Sequence, residues 1–429
     1  MDRTIREMPD GGAERALTAP VVGVTVVNFL FFVAYLFFFP TLPIFIRELG
    51  GAESEIGLLI GISSLAALGV RPVVGYLVDA RGRKPVLLGG LGLFVVNALL
   101  YNVVALPEHL FPLRLLTGAC LATVLTAAST LAADVAPPSR RGAVMSYFGL
   151  SNSLAFAVGP ALGGWIIHAE LFSGAEGWVV ERAGWLASAK TGGLHFTSLF
   201  VVAAAIGAAA VALGSTLPET RPAGSAARRS LDPRTMVSSV ALFPAGVNFL
   251  TAFVFAAMVT FMPLYARDHG VANPGSLFVA YAAAVVAMRI VIGAWMDRWP
   301  RAVVILPSIL VLAGSMPILA SAASPLPLYA AATVYGLGAG VFQPAMMAFL
   351  VDRAGVTERG RAMSTFTLGT DLGLSLGSFS LGAAVELAGM RAAFLMAGFA
   401  ALAGAGLFAV GTGLSAARRM RGPETLPFT

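Results

Sequence analysis

Arg71-Pro-Val-Val-Gly75-Tyr-Leu-Val-Asp79-Ala-Arg81-Gly82-Arg83-Lys84-Pro-Val86 returns 218 residues later as Arg289-Ile-Val-Ile-Gly293-Ala-Trp-Met-Asp297-Arg298-Trp299-Pro300-Arg301-Ala-Val-Val304. Four residue types hold matched places: Arg71 with Arg289, Gly75 with Gly293, Asp79 with Asp297, and Arg83 with Arg301. The same offset joins Asp134 to Asp352, Arg141 to Arg359, Gly142 to Gly360, Met145 to Met363 and Gly159 to Gly377. Nearer the start of each copy, residues 42–50 (LPIFIRELG) align with 262–270 (MPLYARDHG) at an offset of 220. One register kept over so many residues marks an internal duplication.

Composition says which solvent the duplicated unit meets. The chain has 429 residues, 57% of them hydrophobic and 12% charged, with a mean hydropathy of +0.83. That is more apolar surface than one water-soluble core can bury, so the excess faces lipid. The net charge of +6 is spread in short clusters between apolar runs, which excludes a nucleic-acid-binding face. Cys120 is the single cysteine, so no internal disulfide forms, and its apolar surroundings make it a small core residue. The apolar run that begins at Val21 is too long for a signal-peptide core, so the amino terminus is expected to be retained.

Apolar stretches able to cross roughly 30 Å of hydrocarbon fall near 21–46, 56–78, 86–106, 111–134, 143–167, 195–216, 237–264, 276–296, 302–322, 328–351, 362–386 and 392–414. Only helices satisfy their own backbone in lipid, and the alternation of a β-barrel strand is absent. An all-α membrane protein of twelve transmembrane helices follows, as two pseudo-symmetric six-helix bundles. The expected divisions are a tail over 1–20, a bundle over 21–217, a polar linker over 218–236, a second bundle over 237–414 and a tail over 415–429. With the amino terminus inside, twenty Lys and Arg fall on the cytoplasmic side and only Arg47, Arg182, Lys190, Arg267 and Arg391 on the other. Both termini are therefore expected in the cytoplasm. Arginine far outnumbers lysine amid abundant Ala and Gly, which points to a bacterial cytoplasmic membrane.

Here the pattern becomes a resemblance. The segment from Gly75 to Lys84 resembles the loop signature between helices two and three of the major facilitator superfamily, and the copy from Gly293 resembles its degenerate repeat between helices eight and nine. Arg114-Leu-Leu-Thr-Gly118 looks like the family's fourth-helix motif, and Gly159-Pro160-Ala-Leu-Gly163-Gly164 is similar to the fifth-helix motif of proton-coupled exporters. The resemblance covers essentially the whole chain. It implies a drug/proton antiporter type: alternating access, and export of a drug, metabolite or metallophore-like solute coupled to protons. An uptake permease or a lipid-linked flippase on the same scaffold stays open as the alternative. The implied partners are a small-molecule substrate, the proton and the lipid bilayer, with a monomer expected and no cofactor. In that family helices one, four, seven and ten line the cavity, which here nominates Asn28 and Tyr35, Thr117 and Cys120, Asn248 and Thr251, and Tyr335 and Gln343.

The residues themselves support further expectations. Asp79 and Asp297 close spanning helices beside arginines, and Asp134 and Asp352 are the next acids on that side. Two gating latches are inferred, Asp79–Arg83–Asp134 and Asp297–Arg301–Asp352, each holding one state closed. Arg71, Arg114 and Arg289 lie within spans, where an unpaired guanidinium is costly, so each needs a polar partner. Arg71 is expected to approach the eleventh helix, and Arg289 the fifth helix near Asn152 or Ser153. Gly159, Pro160, Gly163 and Gly164 are expected to break the fifth helix near its outer end, as a hinge and a close-packing surface. Asp371 is the one carboxylate near mid-membrane, on a polar face with Ser364, Thr367, Ser375 and Ser378, and its repeat mate is the neutral Ser153. A lone acid at that depth suits a coupling proton. An enzyme would need convergent acid, base or metal ligands, yet His109, His168, His195 and His269 are scattered, so neither catalysis nor a metal site is expected.

Overall fold

The computed structural model describes residues 17–169, 194–221, 237–296, 299–355 and 358–420. The first five long helices are α1 (Ala19–Glu48), α2 (Glu53–Arg81), α3 (Arg83–Leu100), α4 (Leu110–Val135) and α5 (Arg141–Ile166). They are followed by α6 (Phe196–Ser215), α7 (Ser239–Thr260), α8 (Gly275–Met296), α9 (Arg301–Ser321) and α10 (Pro325–Val351). The last helical stretch, Arg359–Met420, is two helices meeting at Gly389, whose φ of +82° no helical residue adopts. These are α11 (359–388) and α12 (390–420). Among the described residues nine stretches are long and apolar enough to cross a membrane by composition alone, the one through Gly389 counting once. Glycine- and serine-rich α5 and the marginally shorter apolar part of α8 complete twelve.

Helices begin and end where backbone chemistry dictates. Pro20 and Pro325 stand in the first turn of α1 and α10, and Pro107, Pro138 and Pro263 in the first turn of the short helical segments Pro107–His109, Pro138–Arg140 and Met262–Asp268, where no amide donor is needed. Gly82 alone separates α2 from α3, and its φ of +104° is open to glycine and strained for other residues. Successive helices alternate in direction, so one end of the bundle, here the termini face, carries residues 17 and 420 and the Gly82 turn. The other end is the far face. The expected linker is described only to Arg221, and most of both tails lies outside the described residues.

Two pairs of helices join the halves: α2 lies along α11, and α5 along α8. Towards the far face the seam has no side chains to spare. A Cβ on Gly57 or Gly61 of α2 would strike the carbonyl oxygens of Ser378 and Ser375 on α11, and one on Gly275 of α8 would strike that of Pro160 on α5. Towards the termini face, a Cβ on Gly69 or Gly75 of α2, or on Gly142 or Gly149 of α5, would meet nothing within 4 Å. The bundle is therefore closed at the far face and parted towards the termini.

Candidate functional site at the boundary between the halves

At mid-depth, among the described residues, two polar side-chain contacts cross the boundary, and they are repeat mates. Arg71 of α2 forms an ion pair with Asp371 of α11. Arg289 of α8 donates from Nη1 to Ser153 Oγ of α5 at 2.5 Å. These are the partners that the repeat register nominates. The Arg71–Asp371 pair is partly shielded, with side chains 25% and 14% exposed. Arg289 is exposed towards the cavity and, among the described residues, pairs with no carboxylate. Arg114 is buried; its Nε donates to the Leu59 carbonyl at 2.8 Å and its Nη2 to Ser63 Oγ at 2.6 Å, so oxygen dipoles of α2 solvate its charge.

Beside Arg289 lies a cavity of about 210 Å³, lined by Asn248, Thr251, Tyr281, Tyr335, Gln343 and Thr370 among others. Four of the nominated residues, Asn248, Thr251, Tyr335 and Gln343, thus belong to it. A smaller recess of about 30 Å³ holds Tyr35 with Ser63, Ser64 and Arg114. The other three nominations point elsewhere. Asn28 is fully buried and donates to Ser151 Oγ and Asn152 Oδ1, tying α1 to α5. Its repeat mate Asn248 makes the corresponding bond to Thr370 of α11 while also touching the cavity. Thr117 faces α3, where it accepts from Asn97 and meets Tyr101, and Cys120 is fully buried in the core. The cause is angular: α4 turns Arg114 towards α2 and the recess, and Thr117, about 60° around the helix, falls against α3 instead, with Cys120 about 120° round. Helix identity alone did not fix helix rotation. The cavity's other aromatic residues, Phe156, Phe255, Tyr281 and Phe342, were not nominated; Phe156 and Tyr281 come from α5 and α8, outside the four lining helices.

At the termini face Arg83 Nε meets Asp134 at 2.9 Å, and its Nη1 lies 3.7 Å from Asp79. Two neighbours complete the cluster: Thr220 Oγ1 donates to Asp134, and Glu219 accepts from the amides of Arg83 and Lys84, capping the positive end of α3. In the second half Arg301 Nε lies 3.4 Å from Asp352, while Asp297 is outside the described residues. Each ion pair lies within its own half, Arg83–Asp134 in the first and Arg301–Asp352 in the second.

The fifth-helix motif packs differently from expectation. Helix α5 runs unbroken through Pro160, because an apolar helix of 26 residues tolerates one missing donor when neighbours hold it. Gly159 admits the backbone of Val33, Gly163 that of Phe37, and Gly164 the side chain of Asn273. Close approach, rather than a break, is what these residues provide here. Gly369, Gly373 and Gly377 of α11 likewise pack against α7, leaving the Asp371 face to α2.

At the far face, the two halves are clasped. Arg47 Nη1 lies 2.9 Å from Asp268 while its Nη2 holds Glu53 at 2.7 Å, and Arg267 Nη1 lies 2.6 Å from Glu48. Ser54 donates to Glu386 at 2.7 Å alongside.

The family model described as Major Facilitator Superfamily matches residues 24–276 and 249–425. The staphylopine export protein of Staphylococcus aureus is 23% identical over 397 residues, which is 89% of this chain and 94% of that one. The quinolone resistance protein NorA of the same species is 29% identical over 138 residues, 32% of this chain and 36% of that one. The crystal structure of the nucleoside transporter NupG shares the fold at a TM-score of 0.68 and 16% identity, covering 92% of this chain and 99% of that one. A duplicated twelve-helix bundle around a cavity, matched along both repeats by one family model, makes this chain a membrane transporter of small molecules that belongs to the major facilitator superfamily.

Proposed function

We propose that the protein exports a small organic solute across a bacterial cytoplasmic membrane in exchange for protons, with both termini in the cytoplasm. The observation that carries this reading is the Arg71–Asp371 pair, which crosses the boundary between the halves at mid-depth. A carboxyl that is paired when the far face is closed, and released when the halves rock, gains and loses its proton partner in step with the change of state. The likeness to an export protein over 89% of the chain supports the outward direction. The excess of arginine at the termini face supports the cytoplasmic placement of both ends.

Inside-out vesicles with an imposed pH gradient test it. Wild type should accumulate solute when the lumen is acid. Asp371→Asn should lose that response yet still exchange labelled for unlabelled solute. Uphill transport retained in Asp371→Asn makes Asp371 a structural acid; accumulation only under the opposite gradient makes the protein an uptake permease.

A further inference from the structure

The duplication has left a charge imbalance at the boundary. Arg71 and Arg289 are repeat mates, and so are the residues they meet across the boundary, Asp371 and Ser153. On one side a carboxylate neutralises the guanidinium. On the other a neutral hydroxyl does not. Arg114, which meets Leu59 and Ser63 nearer the far face, also has no carboxylate partner among the described residues. Of the two uncompensated cations, Arg114 is buried, held by oxygens of α2 beside the 30 Å³ recess, whereas Arg289 is open to the 210 Å³ cavity. A cation there, in surroundings of low dielectric, favours an anionic occupant and disfavours a cationic one.

Much of the rest of the wall is aromatic. Tyr281 and Tyr335 stack at 5.3 Å between ring centres with an interplanar angle of 27°, and Phe156 stands edge-on to Tyr281 at 6.3 Å. Among the described residues the Gln343 amide and the two tyrosine hydroxyls make no hydrogen bond to protein, although all three residues line the cavity. They are donors and acceptors left for an occupant. The volume is below the roughly 300–1,000 Å³ of drug-sized sites, so the occupant is small.

Resting on the transporter reading above, we infer that the cargo is a small aromatic acid, its carboxylate held by Arg289 and Gln343 and its ring laid against the Tyr281–Tyr335 pair. Ser153 is the residue that keeps this charge available, because an acid in its place would claim Arg289 as Asp371 claims Arg71.

Calorimetry on the purified full-length protein tests it with three isosteric probes: 1-naphthoate, 1-naphthamide and 1-naphthylmethylamine. Naphthoate should bind at least about tenfold more tightly than the amide, the gain of one charge-assisted pair over a neutral one, and the amine should bind weakest. Ser153→Asp should remove or invert that preference, read as the ratio of acid to amide affinity within the variant. Arg289→Gln, which adds no charge, should abolish the preference as well and serves if Ser153→Asp does not fold. Equal binding of acid and amide, binding of none of the three, or a preference that survives both substitutions overturns the inference. Proton-driven export of a neutral or cationic solute would overturn it while leaving the export reading intact.

Discussion

Arg47 and Asp268 lie 2.9 Å apart across the boundary between the halves, and their repeat mates, Arg267 and Glu48, lie 2.6 Å apart beside them. The duplicated Arg-acid dipeptide thus pairs reciprocally, each arginine with the acid of the other copy. Such pairs form only when the far face is shut, and they are absent from a state in which it opens. They therefore bias the equilibrium between states.

Each of the two pairs is partly exposed and contributes about 0.2–1 kcal/mol, so the clasp as a whole shifts the closed-to-open ratio by at most about thirtyfold. Glu48→Arg should open the far face, and adding Arg267→Glu should close it again. Ser375→Cys in a Cys120→Ser background reports this, because Ser375 is fully buried in the seam and its hydroxyl has no partner to lose. Labelling of that thiol by an impermeant maleimide should quicken several-fold in Glu48→Arg and return to the starting rate in the double variant. An unchanged rate in Glu48→Arg would make the clasp ornamental.

The seam itself makes a second prediction. Gly57→Val forces a branched side chain onto the Ser378 carbonyl, an overpacking that costs about 1–3 kcal/mol, and it should favour the state open at the far face. Gly69→Ala, about three turns towards the termini, meets open space and should leave both transport and labelling as in wild type. A Gly57→Val protein with unaltered labelling would show that α2 and α11 can part without reopening the far face.

Arg83 holds Asp134 at 2.9 Å and Asp79 only at 3.7 Å, so Asp134 should matter more than Asp79. Asp134→Leu leaves the largely buried Arg83 without its nearer partner and should lower stability by about 1–3 kcal/mol, with transport falling sharply. Arg83→Leu combined with Asp134→Leu should be milder than Asp134→Leu alone, since no charge is stranded. Melting temperature and transport in reconstituted vesicles measure the two effects separately. Full transport in Asp134→Leu would reduce the cluster to helix capping.

The Arg71–Asp371 pair is also what a purely structural bridge looks like, and a double variant separates the two roles. Arg71→Leu with Asp371→Leu removes both charges together and should insert and fold nearly as wild type. If Asp371 carries the proton, this variant still loses uphill transport; if the pair is only a bridge, uphill transport returns.

Much of this was legible in the chain. The twelve spans, the repeat and the helices that Arg71 and Arg289 reach all follow from the hydrophobic period and the offset of 218, which are local or additive signals. The clasp was also written there, as Arg47-Glu48 and Arg267-Asp268 at the offset of 220, but positive-inside counting treats such arginines as loop charges and does not ask what faces them. Pairing over 221 positions depends on which state the halves adopt, and a sequence carries every state at once. Helix rotation was the other limit. Thr117 and Cys120 sit on the right helix and the wrong side of it, because with lipid outside and packed protein inside, apolar residues surround α4 and blur the stripe that would orient it.

The glycine seam has a kinetic consequence. Where Gly57 and Gly61 lie against carbonyl oxygens of α11, the closed contact is made by main chain on main chain. Long side chains that interlock must each search for a rotamer whenever a surface re-forms, at an entropy loss of up to about 1.5–2 kcal/mol apiece. A surface of bare backbone has nothing to search for. Parting and re-forming this contact therefore orders no side chain, which leaves the arginines of the clasp as the groups that must be ordered when the far face shuts.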